Sequence, residues 1–166
     1  IHMHNDKTVE VINTDAEGRM LLADALSFAT QYEPELVIDF ATLTGSAAMT
    51  LGTQGIIAMG LADQSIFDRL IKSGENTYER VVQLPLWEEY NEQIKSHVAD
   101  IKNVGGREAG AIVAGKFLEH FVSYPWVHFD IAPMAYLEKK EAYRLKGGTG
   151  VGVRLMFDFL RQYPFK

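Results

Sequence analysis

Apolar and polar residues alternate through Thr8-Val9-Glu10-Val11-Ile12, and the β-branched side chains there predict a strand. From residue 19 to residue 32 the apolar spacing becomes helical, with Leu22, Leu26 and Ala29 on one side, until Pro34 ends the helix. Leu36-Val37-Ile38-Asp39-Phe40-Ala41 is an almost continuous apolar run, the pattern of a strand covered on both faces of a parallel sheet. A helical stretch over 45–51, a strand over 55–59 and a helix over 65–72 come next, and Pro85 and Trp87 introduce another helix reaching roughly Ile94. After Gly105, Gly106 and Gly110, one helix face is marked by Val113, Phe117 and Phe121, and residues 126–131 read as a further buried strand. The last helix begins near Gly150 and carries Leu155, Phe159 and Tyr163 on one side. Strand and helix alternate without repeat or linker, which predicts a single α/β domain over 1–166 with a mainly parallel sheet flanked by helices.

Composition narrows the possibilities. At 166 residues the chain is long enough to bury a core without a staple, and no apolar run approaches the roughly 20 residues of a membrane span. Sixteen basic against twenty-two acidic residues give a net charge of -6, which repels phosphate backbones and sets nucleic acid aside. With no cysteine there is no disulfide, thiolate zinc site or cysteine nucleophile, so any metal must rest on carboxylate, imidazole or amine. The opening Ile1-His2-Met3-His4 is too short and polar for a signal peptide, and its abrupt entry into a strand suggests a piece of a longer protein.

Three loops carry candidate chemistry. Asn13-Thr14-Asp15-Ala16-Glu17-Gly18-Arg19 joins the first strand to the first helix. Thr14 and Glu17 fit a capping box, and acidic residues there offset the helix dipole. Equally, Asp15 and Glu17, two apart in an extended loop, offer hard oxygen ligands to a divalent metal, with Arg19 poised for an anion. Thr42-Leu43-Thr44-Gly45-Ser46 comes after the apolar strand and so falls at the carboxyl edge of the sheet, where α/β proteins bind ligands, with Thr44 or Ser46 as the alternative helix caps. The glycines of Lys146-Gly147-Gly148-Thr149-Gly150-Val151-Gly152 match no phosphate-loop pattern and read better as tight turns entering the last helix. The five histidines form no H-E-x-x-H pair, His128 inside an apolar strand reads as a satisfied core residue, and no serine has a G-x-S-x-G setting.

The Asn13–Arg19 segment, with Leu21-Leu22-Ala23-Asp24-Ala25-Leu26 behind it, resembles the signature of the leucyl (cytosol) aminopeptidase family. The resemblance continues in order through Asp39-Phe40-Ala41-Thr42-Leu43-Thr44-Gly45, Pro85-Leu86-Trp87, Ala99-Asp100-Ile101-Lys102-Asn103, Phe117-Leu118, His128-Phe129-Asp130-Ile131-Ala132 and Gly148-Thr149-Gly150-Val151-Gly152-Val153-Arg154. It implies a cytoplasmic, homohexameric exopeptidase that uses two divalent ions, zinc or manganese, to release an N-terminal residue from peptides. Asp15 and Glu17 fall on metal-ligand positions, Glu17 as a bridge, and Arg19 on the arginine that holds a bicarbonate acting as general base. Thr42, Leu43 and Gly45 match the substrate-holding loop, and Ala132 and Ala135 the pocket for the first side chain. The family's remaining metal ligands and its two lysines precede this signature and have no counterpart here, so the chain corresponds to the C-terminal part of the catalytic domain and is expected to be inactive alone. A non-catalytic assembly module of the same fold is the alternative; retention of Asp15, Glu17 and Arg19 together favours the enzyme.

Overall fold

The computed structural model describes residues 1–163. A four-stranded sheet forms the centre, in the order β2 (Val37–Ala41), β6 (Trp126–Asp130), β3 (Ile56–Gly60), β4 (Val81–Gln83). β2 and β6 are parallel, as are β3 and β4, while β3 meets β6 antiparallel. The parallel β3/β4 pair is closed by a crossover through α3 (Gln64–Thr77), as same-direction strands require. A short parallel ladder joins β1 (Val9–Glu10) to β5 (Ile101–Lys102), and an antiparallel one joins β7 (Tyr136–Leu137) to β8 (Gly147–Gly148).

Alternation along β6 sorts its side chains to the two faces of the sheet. Trp126 packs with Leu26 of α1 (Gly18–Ala29) and Phe117 of α4 (Gly110–Glu119). Val127 and Phe129 pack on the other side with Phe67 and Leu70 of α3 and with Leu155 and Phe159 of α5 (Val153–Arg161). Burying side chains of this size from both faces is the largest favourable term in the fold, at about 1.5–3 kcal/mol each. The strand covered on both faces is therefore β6. The apolar run at β2 predicts such a strand too, yet every one of its residues is only half-buried because β2 lies at the edge of the sheet.

The helix expected over 65–72 continues to Thr77. Gly74 lies inside it because a Cβ there would come within 2.7 Å of the Glu79 carbonyl oxygen, so the glycine answers to packing and not to helix termination. The first helix ends as α at Ala29, and residues Thr30–Tyr32 form a 3-10 turn closed by Glu33 in the left-handed region (φ 45°). Glu88–Ile94 is likewise 3-10 and not α. Trp87 and Tyr90, three apart at its start, stack with ring centroids 6.0 Å apart, a spacing that 3-10 geometry brings into register. α2 (Gly45–Leu51) has the expected bounds.

Candidate active site

β2 and β6 run the same way, so their carboxyl ends open on one side of the sheet. The loop after β1 reaches the same place, and together the three segments enclose a cleft of about 760 Å³. Its walls include Asp15, Glu17 and Arg19 from the first loop, Thr42 to Ser46 from the second, and Val104 to Gly106 from the loop after β5. The two loops that carry the candidate ligands and the candidate substrate contacts thus converge, as expected.

The first loop is shaped by its own polar groups. Asn13 accepts from the Asp15 amide at 2.9 Å and starts a 3-10 turn over Thr14–Ala16. Glu17 then sits at the N-cap of α1 with no side-chain cap bond, so the anticipated capping box between Thr14 and Glu17 does not form. Glu17 is left exposed, as is Asp15, and both line the cleft. Arg19, in the first turn of α1, is fixed by an Nη1 donation to the Asn103 carbonyl at 2.8 Å. Burial pushes its pKa down, and the nearby negative charge of Asp130 works in the opposite direction.

Asn103 has no role that residue type or spacing announces. Fully buried at the end of β5, its Oδ1 accepts from the Ile12 and Asn13 amides at 2.9 and 3.3 Å. Its Nδ2 donates to the Asn13 carbonyl at 2.7 Å. One side chain therefore holds the start of the Asp15–Glu17 loop across some ninety residues of sequence.

The second loop is built similarly. Thr44 caps α2 by accepting from the Ala47 amide at 3.0 Å, and its hydroxyl donates to Asp130 Oδ2 at 2.7 Å. Asp130 Oδ1 accepts from the Leu43 amide at 3.1 Å and from the Ala132 amide at 3.2 Å. Burial raises the Asp130 pKa, and the Thr44 hydrogen bond counters it. Ile131 lines the cleft, whereas Ala132 and Ala135 lie in the adjoining turn and not on its walls. The Ala135 amide donates to the Ile131 carbonyl at 2.9 Å.

His128 is fully buried, as a core histidine should be, but only half satisfied. Nδ1 pairs with Asp39 Oδ1 at 2.7 Å while Nε2 has no hydrogen-bond partner among the described residues. Asp39 accepts the Trp126 indole N–H at 2.7 Å through its other oxygen. The glycine-rich segment enters α5 through Gly152, at φ 95° with a Phe40 ring carbon 2.9 Å from where a Cβ would stand. Buried Glu79 occupies that helix N-terminus, accepting from the Gly152 and Leu155 amides at 3.1 and 2.9 Å and from Arg154 Nε at 3.0 Å. The place a nucleotide phosphate would need is filled by a carboxylate of the protein itself.

Asp15 and Glu17 have the hard oxygen chemistry of divalent-ion ligands, but they are two. Among the described residues no group of three or more histidine, aspartate or glutamate side chains could hold a metal ion.

Residues 1–157 match the catalytic domain of the cytosol aminopeptidase family. The chain is 52% identical over 157 residues to a probable cytosol aminopeptidase of Syntrophotalea carbinolica, covering 94% of this chain and 31% of that protein. A probable cytosol aminopeptidase of Roseiflexus castenholzii is 50% identical over 159 residues, covering 95% and 32% respectively. In fold the chain is similar to a tomato leucine aminopeptidase mutant, with a TM-score of 0.88 at 37% identity over 96% of this chain and 31% of that one. It thus spans about a third of the length of the curated relatives it matches.

Proposed function

The chain belongs to the cytosol aminopeptidase family, and on that premise we propose that it is the substrate-facing part of an enzyme that releases N-terminal amino acids, leucine and similar, from peptides. The observation that carries this reading is the convergence of Asp15, Glu17, Arg19 and the Thr42–Gly45 loop on one cleft at the carboxyl ends of β2 and β6. A cleft lined by two exposed carboxylates and a held guanidinium supports a hydrolytic reading.

Asp15 and Glu17 would hold divalent ions, zinc or manganese, together with ligands from the part of the family's length that this chain does not span. When bound, such ions would polarise the scissile carbonyl and lower the pKa of the attacking water. The chain's own groups do the rest. Arg19, held through Nη1, presents its charge to an anion in the cleft, which we take to be a bicarbonate serving as general base. The Leu43 amide is already committed to Asp130, so its contribution to a substrate backbone is its carbonyl, which accepts from a peptide N–H or the free amine. Thr42 and Gly45 complete that edge; Ile131 lines the cleft, and the turn carrying Ala132 and Ala135, which are not on its walls, adjoins it. A cytoplasmic homohexamer belongs to the same proposal.

The test is an assay of the complete protein that carries this segment, on leucine p-nitroanilide and on its N-acetylated form, with manganese or zinc. Metal-dependent release from the free amine and none from the blocked one is the expected result. Equal cleavage of both, or no cleavage with either ion, would remove the reading.

A further inference from the structure

β2 and β6 run side by side until Ala41, which stands in register with Asp130, and the Ile131 amide adds a last rung by donating to the Ala41 carbonyl at 2.9 Å. Beyond that rung the two chains part. One becomes the loop 42–44 and then α2, the other the turn 131–135. Among the described residues no backbone hydrogen bond joins the two branches past the fork. What joins them is Asp130. Its Oδ1 takes one amide from each branch, Leu43 and Ala132, and its Oδ2 takes the Thr44 hydroxyl that in turn caps α2. The carboxylate is fully buried and is not itself among the residues that line the cleft, although Leu43 and Thr44, which it holds, are. With two oxygens meeting three donors, the spacing of the two branches is defined by a single side chain; an acceptor removed here leaves buried donors without a partner.

We propose that Asp130 is a positioning residue for substrate recognition, fixing the Leu43 edge of the cleft against the turn that begins at Ile131 and turning the Leu43 carbonyl toward the bound peptide. The inference rests on the aminopeptidase reading above, since that reading makes these two branches the sides of the first-residue pocket. Asp130 acts through its partners, so its loss should weaken binding while leaving Asp15 and Glu17 in place; its charge also offsets the burial of Arg19, and Asp130→Asn, which loses that charge and keeps an oxygen for both amides, separates the two effects.

In the complete enzyme, Asp130→Ala is expected to raise KM for leucine p-nitroanilide about tenfold or more while kcat stays within about threefold. Asp130→Asn keeps an oxygen for both amides and offers its NH2 to the Thr44 hydroxyl oxygen, so KM should return to within about threefold of the parent. Thr44→Val, which removes one of the three donors and with it the cap of α2, should raise KM by a smaller factor and serves in place of Asp130→Ala if that variant does not fold, with exchange of the Ala47 amide reporting the loss of the cap separately. On the 166-residue chain itself, hydrogen exchange needs no activity. In Asp130→Ala the Leu43 and Ala132 amides should exchange about tenfold faster together, with Val127 and Phe129 unchanged. A KM unmoved in Asp130→Ala and Thr44→Val, or exchange at Leu43 and Ala132 unmoved in a folded variant, would overturn the proposal. A complete enzyme without aminopeptidase activity would defeat the functional reading instead, and exchange would then decide whether the clamp exists.

Discussion

Two acidic residues two positions apart are easily read as a cap and its neighbour; in the folded chain neither Asp15 nor Glu17 caps anything with its side chain, and that idleness is what frees them for a ligand. If Glu17 bridges two ions, Glu17→Gln keeps the shape and removes the bridging charge, so in the complete enzyme kcat on leucine p-nitroanilide at saturating manganese should fall further than in Arg19→Ala. The arginine variant loses only the anion that assists water, a general-base contribution of roughly 10²–10⁴-fold. Near-parent turnover for Glu17→Gln would refute the bridge. Type and spacing alone leave these residues between a helix cap and a ligand, and it is the family pattern that points to the second. Asn103 and Asp130 are visible only as letters of a family pattern. Their work lies in hydrogen bonds to Asn13 and Leu43, some ninety positions away in each case, and nothing local distinguishes a buried amide that organises a loop from a polar residue at a strand end.

At the scale of elements, periodicity finds the five α-helices of the described residues, but it misses the 3-10 turn at Thr14–Ala16, read as extended loop, does not tell α from 3-10 at Glu88–Ile94, and does not tell a central strand from the edge strand β2. Both distinctions depend on neighbours that arrive from elsewhere in the sequence. The two-residue strands β1 and β5 are a further case, because their pairing is supported by Asp100, which accepts from the Thr8 amide and hydroxyl at 2.7 Å each. Those bonds hold the Asp100 carboxyl below its ordinary value of 3.8, the Thr8 amide first among the causes. A carboxyl with a depressed folded pKa contributes stability above its unfolded value and loses it as pH falls through the folded one. Acidification below about pH 4 should therefore loosen this ladder, read as faster exchange of the Thr8 amide; Asp100→Asn should show little of that pH dependence. α5 depends on Glu79 in a stricter way. Glu79→Ala would leave two buried amides without an acceptor, and urea unfolding should show a loss of about 2 kcal/mol or more.

For the molecule as a whole, the proposed metal role of Asp15 and Glu17 has a direct consequence. The 166-residue chain alone is expected to bind manganese or zinc weakly and without fixed stoichiometry, and to release no product from leucine p-nitroanilide, because two carboxylates seldom fix an ion that ordinarily has more ligands. Titration calorimetry beside the assay checks this, and two tightly bound ions per chain with parent-like turnover would overturn it. The edge position of β2 bears on how such an experiment must be run. Val37 to Ala41 carries one charge in five residues, and that charge, Asp39, is spent on Trp126 and His128. Nothing along the strand repels a second copy, so its outer backbone groups are a template on which another molecule can pair. Concentration, before temperature, is the variable that would drive solutions of this chain toward aggregation, and a lysine placed along β2 would be the simplest guard against it.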